Sequence, residues 1–301
     1  MSKLIVTGGA GFIGSHLADK LIELGHEVIV IDNLMLGKKE FVNKKADFVK
    51  EDIRDYKKIV KYFKGADAVF HLAADPRLPV SIEDPITTHE INVTGTINVL
   101  EAARQNGVKK VIFSSSCAVY GDVKTLPINE SEGTNPLSPY GLHKLMGEQY
   151  CRLYSSLFDL PTVCLRYFNV FGPRKLANGS YPMVIPVFLD QKKNNLPLTI
   201  VGDGTATRDY VHVQDVVQAN ILAWESSVGG GLSINVGSGK QSSVNEIASL
   251  IDGDRKQIPE RKGEMKNIQA DISRAKELLK WEPTIDLENG IKELKKVWNV
   301  E

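Results

Sequence analysis

The residues with the clearest capacity for chemistry are Ser114, Ser115 and Ser116, which end an apolar run, and Tyr140 and Lys144 downstream of them. Tyr140 and Lys144 are four residues apart, so on a helix they share a face. A phenol with an ordinary pKa near 10 is a poor base at neutral pH, and neighbouring cations favour its phenolate. Lowering it to about 7 requires roughly 4 kcal/mol of such interaction, a reasonable demand on two close positive charges. The pair reads as a general base with its cationic neighbour.

A second stretch near the start of the chain supplies a place for a partner molecule. Leu4-Ile5-Val6-Thr7 stops at Gly8-Gly9-Ala10-Gly11-Phe12-Ile13-Gly14, where an amphipathic helical pattern begins at once. Gly9, Gly11 and Gly14 fit G-x-G-x-x-G, and Gly8, Gly11 and Gly14 fit G-x-x-G-x-x-G. Such glycines allow a tight turn and let backbone approach a pyrophosphate, which the following helix N-terminus attracts. The run Val28-Ile29-Val30-Ile31 then ends in Asp32, where an acid meets ribose hydroxyls. With no arginine just after it, Asp32 favours NAD over NADP. The positive nicotinamide would be the second cation beside Tyr140.

These residues need a scaffold, and the alternation of patterns describes one. Strand patterns lie near 3–7, 27–31, 46–50, 67–72, 109–114 and 161–166, and helical patterns near 12–24, 55–64, 86–106 and 139–158. This predicts an α/β fold, a Rossmann-type doubly wound parallel sheet with ligands at the strands' carboxyl ends. Asp52-Ile53 is then placed to flank an adenine, and the small residues of His71-Leu72-Ala73-Ala74 leave room for a flat cofactor. His71 itself reads as a hydrogen-bonded structural histidine, since no other metal ligand has suitable spacing, and no metal site is expected. After Arg166 the texture changes to a stretch rich in Pro, Gly and Asn. Val211–Glu225 reads as a helix, Ser233–Val236 as a strand, and Gln241–Ile251, Ile272–Leu279 and 283–301 as further helices. The expected division is an NAD-binding domain over 1–167, with 208–240 contributing. A smaller interwoven α/β lobe for the substrate covers 168–207 and 241–301.

Composition narrows the class. The 301 residues carry 37 basic and 37 acidic side chains, so no net field draws in nucleic acid or an anionic membrane. Three cysteines, an odd number, point to reduced thiols and a cytoplasmic setting. The first strand begins at once, leaving no room for a leader, and no apolar run reaches the length of a bilayer.

The motifs together resemble the extended short-chain dehydrogenase/reductase family. Within it they resemble the NAD-dependent epimerase/dehydratase group typified by UDP-glucose 4-epimerase. The resemblance rests on GGAGFIG, Asp32-Asn33, Asp52-Ile53, HLAA, Asn92-Val93-Thr94-Gly95-Thr96, SSSCAVYG, YGLHK, Arg166-Tyr167-Phe168-Asn169 and the stretch Gly202–Tyr210. It implies 4-epimerisation of a UDP-sugar through a transient 4-keto intermediate, with Tyr140 as proton acceptor, Lys144 as its cation and Ser116 on the reacting oxygen. Besides the glycines it implies NAD contacts from Phe12, Ile13, Asp32, Asn33, Leu34, Met35, Leu36 and Gly37. Further contacts are implied from Asp52, Ile53, Leu72, Ala73, Ala74, Asn92, Tyr140, Lys144 and Phe168. Asn169, Arg208 and Arg261 resemble a clamp on the diphosphate, Thr199 and Val201 neighbours of the base, and Glu264 a neighbour of its ribose. Ile268 matches a pocket-wall position where a residue smaller than tyrosine goes with acceptance of N-acetyl sugars. Relatives that dehydrate or decarboxylate generally carry an acid beside the serines, where this chain has Cys117 and Ala118. His143 departs from the small residue common at its position. The resemblance also implies a homodimer built from the helices near 86–106 and 139–158, for which Ile91, Ile97, Leu100, Leu145 and Tyr150 offer an apolar set. The alternatives are another NAD-linked sugar-nucleotide enzyme, such as a reductase or a different epimerase, and a dinucleotide sensor without catalysis.

Overall fold

A computed structural model describes residues 1–175, 183–259 and 267–300. The chain opens with β1 (Lys3–Thr7), α1 (Phe12–Glu23), β2 (Glu27–Ile31), β3 (Asp47–Val49), α2 (Tyr56–Ile59) and β4 (Ala68–His71). There follow α3 (Leu78–Glu83), α4 (Pro85–His89), α5 (Gly95–Gln105), β5 (Lys110–Ser116), α6 (Pro139–Phe158) and β6 (Thr162–Tyr167). Then come β7 (Asn169–Phe171), α7 (Val184–Lys193), β8 (Leu198–Val201), β9 (Thr207–Arg208), β10 (Tyr210–His212) and α8 (Val213–Glu225). The chain closes with β11 (Leu232–Val236), β12 (Ser242–Ser243), α9 (Val244–Ile251), β13 (Arg255–Ile258), α10 (Ser273–Leu279) and α11 (Leu287–Trp298).

Seven strands form one parallel sheet in the order β11-β6-β5-β4-β1-β2-β3. The order turns back between β1 and β4, so a crevice opens at their carboxyl ends. Strands of such a sheet are buried on both faces and read as continuous apolar runs. Leu4 and Val6 face a core with Leu17 and Leu21 of α1 and Val216 and Val217 of α8. Ile5 faces the opposite core, with Val99 and Leu100 of α5 and Cys151 of α6. A third core holds Phe171, Phe188, Leu198, Ile247 and Ile291. Around it lie the two-stranded pairs β10–β7, β12–β9 and β13–β8. Ala275, Leu279 and Trp281 return to the first core, so the stretch after 241 contributes to the first core as well as the third.

Local rules account for the ends of the key helices. Ser138 caps α6 by accepting from the Gly141 N–H at 3.2 Å, with Pro139 at the first helical position. The predicted helix over 211–225 starts two residues late, because Tyr210–His212 pairs with β7 and the His212 ring then accepts from the Gln214 N–H. The predicted helix over 86–106 is three pieces, α4, a π-helical turn at Glu90–Thr94, and α5. Of the apolar set offered for subunit pairing, Ile91 and Leu100 are buried, whereas Ile97, Leu145 and Tyr150 are half-buried, Leu145 against the cluster that holds Val119 and Ile268 and Tyr150 against the one that holds Phe113. The apolar residues exposed on these elements are Ile86, Leu142, Leu153, Leu157 and Phe158. Among the described residues no helix is long and apolar enough to cross a membrane.

Candidate active site

The turn after β1 is built for close approach. Gly8 has φ +73°, and a Cβ there would lie 2.7 Å from the Ala73 nitrogen. A Cβ on Gly14 would strike the Gly8 carbonyl, so helix and turn are held together. Beside Gly11 only the Gly8 carbonyl oxygen, at 3.1 Å, would meet an added Cβ, so a side chain there would stand over the turn itself. No side chain caps α1, whose first turn, Phe12 and Ile13 included, opens onto this turn. A backbone cradle with a bare helix end fits the pyrophosphate of NAD.

The residues expected around the rest of the cofactor gather on the neighbouring strand ends. Buried Asp32 accepts from the Ala10 and Leu34 N–H groups at 3.0 and 2.8 Å, and burial pushes its carboxyl up. Leu34 has φ +62°, and Gly37 packs against Ala10 where a Cβ would lie 2.8 Å from the alanine Cβ. Met35 and Leu36 are exposed. Asn33 donates to Asp52 at 2.8 Å, and Arg54 donates to the same carboxylate at 3.0 and 2.9 Å. Against the upward effect of burial, the hydrogen bonds from Arg54 and Asn33 hold Asp52 at about 2. Ile53 packs on Gly95, where a Cβ would lie 2.7 Å from its Cγ1. Leu72, Ala73 and Ala74 follow β4, with the Ala73 N–H reaching the Thr7 hydroxyl at 3.3 Å. The Asn92 amide is engaged elsewhere: in the π-helical turn it accepts from the Asp75 N–H at 2.7 Å and donates to the Asp75 carbonyl at 3.0 Å.

The end of β5 meets the first turns of α6. The Ser116 side chain lies beside the Tyr140 hydroxyl and accepts from the Ala118 N–H at 3.2 Å. Lys144 donates to the Ser114 carbonyl at 2.7 Å, with its nitrogen 5.1 Å from the Phe113 ring centre and 5.9 Å from that of Tyr140. Burial pushes Tyr140 up to about 12, against a lowering by Ser116, and Lys144 down to about 8. The lysine cation turns to a main-chain carbonyl.

On the substrate side, Phe168 and Ile268 share a small buried cluster with Val119, Tyr120 and Ile128. Cys117 lies beside them in the fields of Asp209 and Arg208, and desolvation pushes its thiol up to about 12. Arg208 donates to the Thr207 carbonyl at 2.9 Å, and the Asn169 amide to the Asp209 carbonyl at 3.3 Å. Thr199 and Val201 stand apart on β8, where the Thr199 hydroxyl accepts from Gln191 at 2.9 Å. Arg261 and Glu264 lie outside the described residues. His143 is buried with its ring edge-on to His89 at 5.4 Å and its Nδ1 unpartnered among the described residues; burial lowers it to about 4.

Four residues escaped the sequence reading. Ser81 accepts the Tyr140 N–H at 3.1 Å, tying α6 to α3. Asp75 is buried under Arg77, whose guanidinium donates to it at 2.9 and 2.6 Å. The Asp209 carboxylate, fully buried, accepts from the Ser238 N–H and hydroxyl, the Gly239 N–H and the Ala270 N–H at 2.5–3.0 Å. Glu148, two turns after Tyr140, is buried with Arg166; its place four residues beyond Lys144 was the available signal.

Known proteins resemble this chain along most of its length. The sequence model of the NAD dependent epimerase/dehydratase family matches residues 4–237. A putative UDP-glucose 4-epimerase of Methanocaldococcus jannaschii is 44% identical, over 96% of each chain. A UDP-N-acetyl-alpha-D-glucosaminuronate decarboxylase of Bacillus cytotoxicus is 35% identical, over 97% of this chain and 96% of its own. Among solved structures, UDP-glucose 4-epimerase of Thermotoga maritima with UDP-glucose superposes with a TM-score of 0.93 at 39% identity, covering 98% of this chain and 99% of its own. UDP-N-acetylglucosamine 4-epimerase of Methanobrevibacter ruminantium, in complex with UDP-N-acetylmuramic acid, gives 0.93 at 38% identity with the same coverage.

Proposed function

The chain belongs to the NAD dependent epimerase/dehydratase family, and on that premise we propose that it interconverts UDP-sugars epimeric at C4, accepting N-acetylated sugars as well. When bound, NAD would supply the acceptor and donor of the hydride and a positive charge that favours the phenolate. Tyr140 takes the proton of the C4 hydroxyl as hydride leaves C4, and returns it after the flat 4-keto sugar has turned over. Ser116 holds the reacting oxygen, and Lys144 keeps a cation along the face of the phenol. Asn169, Arg208 and Arg261 grip the diphosphate, while Thr199, Val201 and Glu264 hold the nucleoside. Anchoring the end that does not react leaves the sugar free to turn.

The observation that carries this reading is the meeting of Ser116, at the end of β5, with Tyr140 and Lys144 on α6, the lysine bound to the Ser114 carbonyl at 2.7 Å and 5.9 Å from the Tyr140 ring centre, with Cys117 rather than an acid following Ser116. A thiol held near 12 is no acid for dehydration or decarboxylation. The pairing of two copies belongs to the same reading, through Ile86, Leu142, Leu153 and Leu157, exposed along α4 and one side of α6. A monomeric mass at micromolar concentration would refute it.

The purified protein is to be incubated with UDP-glucose, UDP-galactose, UDP-N-acetylglucosamine and a UDP-uronate, with products separated by chromatography. Formation of the C4 epimer without accumulation of reduced cofactor is the expected result. Net reduction of cofactor identifies a dehydrogenase, loss of carbon dioxide from the uronate a decarboxylase, and no turnover a sensor.

A further inference from the structure

Three consecutive residues of β5 each face a residue of α6, and those three helix residues, Tyr140, Lys144 and Glu148, follow one another at one-turn intervals. The Ser114 carbonyl takes the Lys144 ammonium at 2.7 Å, the Ser115 hydroxyl donates to Glu148 at 2.5 Å, and the Ser116 side chain meets the Tyr140 hydroxyl. Two of these contacts involve residues of the reacting site, whereas the third is buried behind it. Glu148 also accepts from Arg166 of β6 at 2.9 and 2.7 Å and from Ser233 of β11 at 3.0 Å. The Arg166 guanidinium lies 4.7 Å from the centre of the Tyr120 ring, whose hydroxyl donates to Asn235 at 2.7 Å.

We propose that Glu148 is a positioning residue for the reaction: its carboxylate, fixed between Ser115, Arg166 and Ser233, sets the register of the helix carrying Tyr140 and Lys144 against the strand carrying Ser116. The apolar contact between helix and strand sets their spacing and leaves sliding open. A Cβ on Gly147 would strike the Phe113 ring, so the backbone of α6 packs closely on that ring. Apolar packing is non-directional, whereas a guanidinium fork and two hydroxyls on one carboxylate fix direction as well. A buried ion pair is weak grounds for stability, because well-packed apolar residues of similar volume often do as well. Its better use here is alignment, since misplacing a reacting group by about 1 Å can lower a rate about a hundredfold. The charge matters too. The titratable and charged groups around Lys144 are Tyr140, His143, Glu148 and Cys151 on its own helix and His71 on β4. Arg166 stands behind Glu148.

The inference rests on the epimerase reading for its assay. Ser115→Ala removes one hydroxyl from Glu148 and leaves the ion pair in place; it is expected to lower kcat about tenfold with KM and thermal midpoint near the parent values. Glu148→Gln is expected to lower kcat about a hundredfold. A double variant, Glu148→Met with Arg166→Met, removes the pair without orphaning either charge and separates alignment from stability. The expected result is a thermal midpoint close to that of the parent and a kcat that stays low. A kcat that recovers along with the midpoint, or a Ser115→Ala protein with full kcat, overturns the proposal. A parent protein that turns over no UDP-sugar refutes the epimerase reading instead. The same variants are then read by ultraviolet titration of the Tyr140 phenol in the NAD complex, with Tyr140→Phe as the blank. An unmoved phenol pKa across that set overturns the positioning role.

Discussion

The proposed catalytic corner and the proposed substrate wall of this molecule are assembled in opposite ways. At the corner, one strand end and the first turns of one helix supply Ser116, Tyr140 and Lys144, with Lys144 held by the Ser114 carbonyl and Ser116 by the Ala118 N–H in the turn just after it. At the wall, Val119, Ile128, Phe168, Ile268 and Ala270 come from well-separated parts of the sequence. Two side chains bind those parts together. Asp209 gathers the N–H groups of 238, 239 and 270, and the Asn235 amide donates to the Ile128 and Asp271 carbonyls at 2.9 and 3.2 Å. A two-element corner preserves chemistry through changes elsewhere. A wall built from many segments lets the accepted sugar change without touching the proton transfer, in keeping with relatives named for different UDP-sugar reactions.

Tyr140→Phe tests the corner most severely. NAD and UDP-sugar should bind nearly as before while turnover falls about 10²–10⁴-fold, the usual worth of a positioned proton transfer. Near-normal turnover in steady-state assays would place the proton transfer on another group. Asp209→Ala attacks the wall. It strands several buried N–H groups, each of which costs about 1–3 kcal/mol when unsatisfied. Urea unfolding should show a loss of about 3 kcal/mol, and NAD affinity by titration should change far less than UDP-sugar affinity. Equal losses of both affinities would mean that wall and corner are one unit.

Ile268→Tyr separates the two regions more gently. Ile268 is 4% exposed among packed neighbours, and overpacking costs typically about 1–3 kcal/mol. The variant should lose activity toward N-acetyl sugars while keeping the glucose–galactose pair. Retention of N-acetyl turnover would remove Ile268 from the wall's selective surface. The smallest effect concerns acid. His71 is buried between the Thr7 and Thr96 hydroxyls at 2.7 and 2.9 Å, and burial lowers its pKa to about 3. The unfolded chain takes that proton near 6.5, so stability falls as pH drops from there towards 3, by about 2 kcal/mol at pH 5. A parent protein whose urea midpoint is unchanged between pH 7 and 5 would contradict this.

Most of the corner is legible in the sequence because its pieces are local. A run of β-branched residues stopping at glycines announces β1 and its turn, and a spacing of four places Tyr140 and Lys144 on one face. What Lys144 would face is not local, and the Ser114 carbonyl proved to be its partner. Apolar spacing marks Ile91 and Leu100 as belonging to a face without saying whether that face meets its own sheet or another chain. His212 reads as part of a helix until the strand beside it is known, since its ring both ends β10 and caps α8. Asp209 stands in a motif, yet its donors come from positions roughly 30 and 60 residues on, a pairing that only the folded chain defines.

The π-helical turn at Glu90–Thr94 has a consequence in angle. Along an uninterrupted α-helix each residue advances about 100°, so positions fourteen apart, such as 86 and 100, fall within about 40° of one another. The wider turn absorbs one residue and sets back everything beyond it by about 100°. Ile86 therefore points outward at 74% exposure while Leu100, which the periodicity would align with it, is fully buried. One surplus residue thus gives a single rod two phases, one addressed to the outside and one to the sheet, with Asn92 at the seam where the phase changes.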